Sequence, residues 1–221
     1  MDDSELKRAG FTRSTSYEIF ILAISLLSYI NIVLLLWMPQ GQPRNVIYIV
    51  DTVVAGIFFI DFVTRFAKAE NRKRYFFKEF GWSDLLSAVP FSAFNIFRIF
   101  RITRFLRFMR KEGGKRVLGS LLKKIPEAAL YGVFFLILLV LEFGSIGVLA
   151  AEAGAPNANI TTAGDALWWV YVSITTVGYG DKYPVTGLGR MVGIATISVG
   201  VGLFGVVTAY IANLFLSKTK Q

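Results

Sequence analysis

The chain contains neither cysteine nor histidine. The first absence excludes disulfides and thiolate metal ligands. The second removes imidazole ligands and leaves no side chain with an unperturbed pKa near neutrality to act as base or pH sensor. Charge is scarce too: Asp, Glu, Lys and Arg make up 18% of 221 residues, and acids are outnumbered 15 to 24, giving a formal net charge of +9. Residues 1–16 are polar and lack the apolar core of a secretory signal. No internal repeat, low-complexity tract or nucleophile-base arrangement is found, so an enzyme is not expected.

Apolar sequence is abundant. Hydrophobic residues reach 54% and the mean hydropathy is +0.55, too apolar for an ordinary soluble domain and suited to a polytopic membrane protein. The basic residues border the apolar runs, which assigns them to membrane orientation and not to nucleic acid. Residues 17–37 carry no charge after Glu18 and are long enough to cross roughly 30 Å of hydrocarbon as a helix. Pro39, Gly41 and Pro43 break that helix, and 46–66 forms a second span bearing Asp51, Asp61 and Arg65. A shorter third span, 80–94, has Asp84 early and Pro90 late; 96–111 follows and ends at Gly113-Gly114. Residues 117–125 have the pattern of an interfacial amphipathic connector. A fifth span (128–151), a polar link, a half-span (162–174) and a last crossing (188–216) complete the chain.

Lys and Arg number three before the first span, five in the second loop, four in the fourth connector and two at the C-terminus, against one in the first loop and none in the third. The positive-inside rule therefore predicts that both termini are cytoplasmic.

Arg98, Arg101, Arg104, Arg107 and Arg110 recur every third residue. One charge near the bilayer centre costs about 2.5–3.5 kcal/mol on insertion scales, so such a series needs compensation. On an α-helix each step of three advances about 300°, and five arginines wind through about 240°, leaving no wide apolar face for surface binding. A 3₁₀ segment would align them in one row. Asp61 and Asp84 lie about a turn from the cytoplasmic ends of antiparallel spans, so both reach one depth and can receive the same guanidinium. Asp51, about 15 Å outward of Asp61, serves arginines nearer the outside, and Phe58 can plug the septum between aqueous halves. Glu142, inside the fifth span, is either an arginine partner or a protonated, packed side chain.

Thr175-Thr176-Val177-Gly178-Tyr179-Gly180-Asp181 lies between the half-span and the last crossing. A dehydrated cation needs oxygens in place of its water shell, and a backbone whose carbonyls all point one way supplies them. Gly178 and Gly180 permit that backbone because they reach positive φ without a Cβ penalty. The Thr176 hydroxyl would be the innermost ligand, with the carbonyls of Thr176, Val177, Gly178 and Tyr179 stacked above. One loop gives one oxygen per layer, so a full cage needs several chains around an axis.

The seven-residue loop resembles a potassium-channel selectivity filter, and nearly the whole chain is similar to the voltage-gated potassium channel family. Phe58-x-x-Asp61-x-x-x-Arg65 resembles that family's charge-transfer motif, Asp84 with Pro90 its third-helix pattern, and Trp168-Trp169 its pore-helix pair. The resemblance implies four copies around one pore, a Trp168 bond to Asp181 and a Trp169 bond to Tyr179 behind the filter. It also implies gating charges at Arg98 to Arg110 and an inner-helix hinge at Gly200, with Gly202 and Gly205 adding freedom. Val207-Thr208-Ala209 stands where many animal members have Pro-Val-Pro, and Asn95 where another arginine might begin the series. Gly180-Asp181-Lys182-Tyr183-Pro184 looks like the muscarinic-current branch, and Asn159-Ile160-Thr161 is a glycosylation sequon on the outer side.

The expected architecture is an all-α membrane protein. Residues 1–16 form a cytoplasmic N-terminus, 17–112 a four-helix voltage sensor, 113–126 an interfacial linker, 127–217 a two-helix pore domain with re-entrant helix and filter, and 218–221 a cytoplasmic tail. The expected function is voltage-gated, potassium-selective conduction in a plasma or bacterial inner membrane, by a homotetramer in contact with lipid. No cofactor, nucleic acid or small-molecule substrate is expected, and potassium itself is the ligand of Thr176 to Tyr179. The alternatives are a potassium channel with a vestigial or hyperpolarisation-coupled sensor and a six-span secondary transporter, for which no midplane site or repeat symmetry is found.

Overall fold

A computed structural model describes residues 15–69, 71–78, 81–87 and 125–219. Its described residues are all helical or irregular. The helices are α1 (Thr15–Trp37), α2 (Gln42–Lys68), α3 (Arg72–Lys78), α4 (Gly81–Ser87), α5 (Ile125–Glu152), α6 (Ala163–Ile174) and α7 (Gly187–Thr219). Four of them, α1, α2, α5 and α7, are long and apolar enough to cross a membrane.

α1, α5, α6 and α7 lie within a few residues of expectation, but α2 begins four residues early. Gly41, at φ 151°, makes the turn, Arg44 N–H donates back to its carbonyl at 3.2 Å, and Pro43 sits in the first helical turn. Proline is tolerated there because the first-turn amides have no intrahelical acceptor to lose. Pro43 thus opens α2. The second loop also contains α3, a helix the sequence reading left as connector. Of the third span, 81–87 is helical; the arginine series Arg98 to Arg110, Pro90, Asn95 and residues 117–124 of the connector lie outside the described residues.

Chain contacts divide the molecule into two compact units. In the first, whose described residues are 15–34, 51–69, 71–78, 81–87 and 125–128, Ile21, Ile24 and Leu27 of α1 and Val54 and Phe58 of α2 are buried. Leu26, Ile30 and Val33 on α1 and Val53, Phe59 and Ile60 on α2 are exposed. Lipid is as apolar as these side chains, so burying them would gain little. Helix association in a bilayer depends instead on close packing and polar contacts. The interior is accordingly polar in part: Ser25, Ser28, Asn31, Asp51 and Asp61 are all at or below 1% exposure.

The second unit comprises residues 35–50 and 129–219. Small residues bring its helices together. A Cβ at Gly144 of α5 would lie 3.1 Å from Thr196 Oγ1, and one at Gly147 would lie 3.3 Å from Val192 Cγ1 of α7. α6 packs against α7, with Trp169, Val170, Val172 and Ile174 buried. Glu142 is fully buried in α5.

Candidate functional site

The local sequence fixes how α6 starts and stops. Thr162 is its N-cap, accepting from Asp165 N–H at 3.1 Å, and the Asp165 carboxylate accepts from Thr162 N–H at 3.1 Å and Thr161 N–H at 3.2 Å. This reciprocal pairing satisfies amides that a helix start leaves over. At the other end Thr175 Oγ1 donates to Tyr171 O at 2.8 Å, and the amides fold back: Thr176 N–H to Ser173 O at 3.1 Å, and Val177 and Gly178 N–H to Val172 O at 3.1 and 3.3 Å. The first loop amides are thereby tied behind the loop, on the carbonyls of the helix C-terminus. Among the described residues no donor takes the carbonyls of Thr176, Val177, Gly178 or Tyr179.

Backbone handedness alternates along the loop. Thr176, Gly178 and Gly180 have φ of 61°, 59° and 77°, whereas Val177 and Tyr179 are not in the positive region. The two glycines occupy the conformation expected of them. Thr176 was not expected there, since a left-handed β-branched residue is strained by about 1–3 kcal/mol. Its position two before Gly178 continues the two-residue period, and residues 176–180 are all exposed.

The loop is braced from the side. Trp168 Nε1–H donates to Asp181 Oδ2 at 2.8 Å, the bond implied by the resemblance, and the Trp168 ring stacks on Tyr179 with centroids 5.7 Å apart and planes 5° apart. A Trp169 bond to Tyr179 is not made within one chain. Trp169 is instead buried, and its ring lies 3.5 Å from where a Gly193 Cβ would stand.

Several supporting residues escaped the sequence reading. Glu152, at the end of α5, accepts from Val185 N–H and Thr186 N–H, both at 2.9 Å, and from Thr186 Oγ1 at 2.7 Å. Thr186 Oγ1 in turn accepts from Gly189 N–H at 2.9 Å. A Cβ at Gly189 would collide with the Glu152 carboxylate and Pro184. Asn159, read as a sequon, accepts from Tyr183 N–H at 3.2 Å and donates to Asp181 O at 3.5 Å, so its amide is engaged beside the filter exit. Lys182 donates from Nζ to Asp165 Oδ1 at 2.8 Å and to Asn159 O at 2.7 Å. The only sequence signal for this network was Thr162-x-x-Asp165, a capping spacing.

Gly200, expected as a hinge, faces α6: a Cβ there would meet Ile174 Cβ at 2.6 Å and Cα at 2.8 Å. Close approach to α6 is one requirement for a glycine here. A Cβ at Gly202 or Gly205 would meet nothing within 4 Å among the described residues, and α7 runs unbroken through all three.

In the first unit, Asp61 accepts from Tyr17 O–H at 2.8 Å and Arg65 Nε at 3.0 Å, and Arg65 also pairs with Glu18 at 2.8 Å. Asp84 accepts from Tyr75 O–H at 2.9 Å. Phe58 and Asp51 are fully buried. The sequence located the acids and Phe58 but not Tyr17, Glu18 or Tyr75, because nothing in local spacing says which side chains a folded bundle brings to a carboxylate.

Fold and site together define an all-helical, multi-pass membrane protein that presents a loop of backbone oxygens with no donor among the described residues. Residues 14–221 match the family model described as ion transport protein, and the chain belongs to that family, one of ion transporters and not of enzymes. It is 31% identical over 102 residues to a voltage-gated potassium channel of Aeropyrum pernix, covering 46% of this chain and 35% of that one. It is 29% identical over 211 residues to potassium voltage-gated channel subfamily V member 2 of Mus musculus, covering 79% of this chain and 37% of that one. Over 97 residues it is 35% identical to the calcium-gated potassium channel TvoK of Thermoplasma volcanium, covering 44% of this chain and 28% of that one. The chain thus spans about a third of the length of these relatives.

Proposed function

We propose that this protein is a voltage-gated, potassium-selective channel. The observation that carries the reading is the loop at 176–180, where left-handed φ alternates and four successive carbonyls have no donor among the described residues. Oxygens in that condition replace a cation's hydration shell at little cost, because no protein hydrogen bond has to break. Two relatives named voltage-gated potassium channels support it.

In this reading four chains surround one axis, each supplying one oxygen per layer, with potassium held at Thr176, Val177, Gly178 and Tyr179. Residues 17–112 form the sensor, 113–126 the coupling linker and 127–217 the pore, with both termini cytoplasmic. Arg98 to Arg110 move past Phe58 and exchange partners among Asp51, Asp61 and Asp84. The inner helix splays at Gly200 or Gly202.

The test is voltage clamp of the purified protein in a planar bilayer under opposed potassium and sodium gradients. The reversal potential is expected to follow potassium. One that follows sodium would sink the filter reading, and a detergent-complex mass other than four chains would sink the assembly. The relative named calcium-gated supports a second reading, in which the arginine helix is a vestigial sensor. A potassium current whose open probability ignores depolarisation would select it.

A further inference from the structure

Lys182 immediately follows Asp181, which closes the filter sequence, so every copy of the pore would place a lysine ammonium at the outer mouth. A cation there opposes potassium entry. Its actual placement removes that opposition: Nζ is 2.8 Å from Asp165 Oδ1 and 2.7 Å from Asn159 O. The Lys182 and Asp165 side chains are only 28% and 20% exposed. Asp165 is itself fixed, because its other oxygen accepts from Thr161 N–H, Thr162 N–H and Thr161 Oγ1 at the start of α6. The Asn159 side chain closes the arrangement onto the filter end through Asp181 O and Tyr183 N–H. One carboxylate therefore both caps the pore helix and holds the lysine. Asp181, bonded to Trp168, carries no such cation among the described residues.

We propose that Asp165, with Asn159, is a positioning residue for conduction: it holds the Lys182 ammonium as a neutralised pair beside the filter, leaving the outer mouth negative through Asp181. This rests on the reading of residues 176–180 as a potassium filter, and it adds a determinant of conductance outside the residues that touch the ion. A charge-balanced pair contributes little field at the mouth, whereas a lone ammonium on each of four copies repels entering potassium. That repulsion acts over the Debye length, about 30 Å at 0.01 M salt and about 3 Å at 1 M.

The experiment records single channels of the full chain in neutral-lipid bilayers, with potassium as the only permeant cation, at low and high ionic strength. A separate recording of the unaltered protein under opposed potassium and sodium gradients, with a reversal potential that follows potassium, establishes the filter reading independently of the variants. Asp165→Asn is expected to lower inward conductance about threefold or more at low salt, with the loss relieved at high salt, as field focusing at a charged mouth requires. Adding Lys182→Gln to Asp165→Asn is expected to restore it, and Asp165→Glu to preserve it. Lys182→Gln alone leaves Asp165 unbalanced and is expected to raise low-salt inward conductance. A loss in Asp165→Asn that persists in the double variant would show that Asp165 acts only as a helix cap and would overturn the proposal, as would unchanged conductance in Asp165→Asn. Should Asp165→Asn fail to assemble, Lys182→Gln decides alone: a conductance that falls or stays level at low salt overturns the proposal.

Discussion

Gly178 has φ 59° and open space where a Cβ would point. A Cβ there meets no clash among the described residues, so its cost is conformational, about 1–2 kcal/mol for an L-residue in the left-handed region. Gly178→Ala is expected to distort the loop and abolish potassium over sodium selectivity, read as a reversal potential that no longer tracks potassium. Retained selectivity would mean that the alternating backbone is not what coordinates the ion. Asp165 offers a second test at this scale. Partial burial by itself would raise its carboxyl, but the bonds from Lys182, from the Thr162 side chain and from the Thr161 and Thr162 amides outweigh it and hold the group well below the usual carboxylate range. For a depressed acid, the stability contribution is fully present above the unfolded pKa, about 3.9, and is lost as pH falls through the folded value. The gap in thermal midpoint between the unaltered protein and Asp165→Asn is therefore expected to hold from neutrality to about pH 5 and to narrow below that. A gap unchanged at pH 3 would contradict the ion pair's role in stability.

At the scale of elements, α7 shows how one residue type serves two ends. Alanine at either interior glycine gains helix propensity, about 1 kcal/mol. At Gly202 that gain is unopposed among the described residues, whereas at Gly200 the methyl would press on the Ile174 backbone of α6. Overpacking of this kind costs about 1–3 kcal/mol. Thermal unfolding in detergent is expected to rank Gly202→Ala at or above the unaltered protein and Gly200→Ala below it. Equal midpoints would show that α7 does not pass α6 this closely. The same contact bears on function, since Ile174 ends the helix from which the filter amides hang.

For the whole molecule, the proposed voltage gating rests on the series Arg98 to Arg110. Each full charge moved through the field yields about 2.3 kcal/mol per 100 mV, so three to four moving in each chain of the proposed tetramer would supply tens of kcal/mol. That is ample to bias a two-state pore. Arg101→Gln or Arg104→Gln is expected to flatten the conductance-voltage curve, while Lys123→Gln or Lys124→Gln, outside the field, mainly shifts its midpoint. A slope that survives loss of both Arg101 and Arg104 selects the vestigial reading.

The four long apolar helices, the half-span and the left-handed glycines of the loop were legible from the chain alone. Hydrophobic length answers to bilayer thickness, and positive φ answers to the missing Cβ; both are local properties. Pro43 misled because a proline's effect depends on whether its missing amide falls in a helix interior or a first turn. The left-handed Thr176, the Glu152 bonds to Val185 and Thr186, and the Lys182 to Asp165 pair belong to tertiary structure. Each joins groups distant in sequence, or holds a conformation that a residue would not adopt unaided. No periodicity encodes which partner a buried carboxylate meets. That is decided when α5, α6 and α7 pack through Gly144, Gly147 and Gly200 and bring the loop ends within hydrogen-bonding distance.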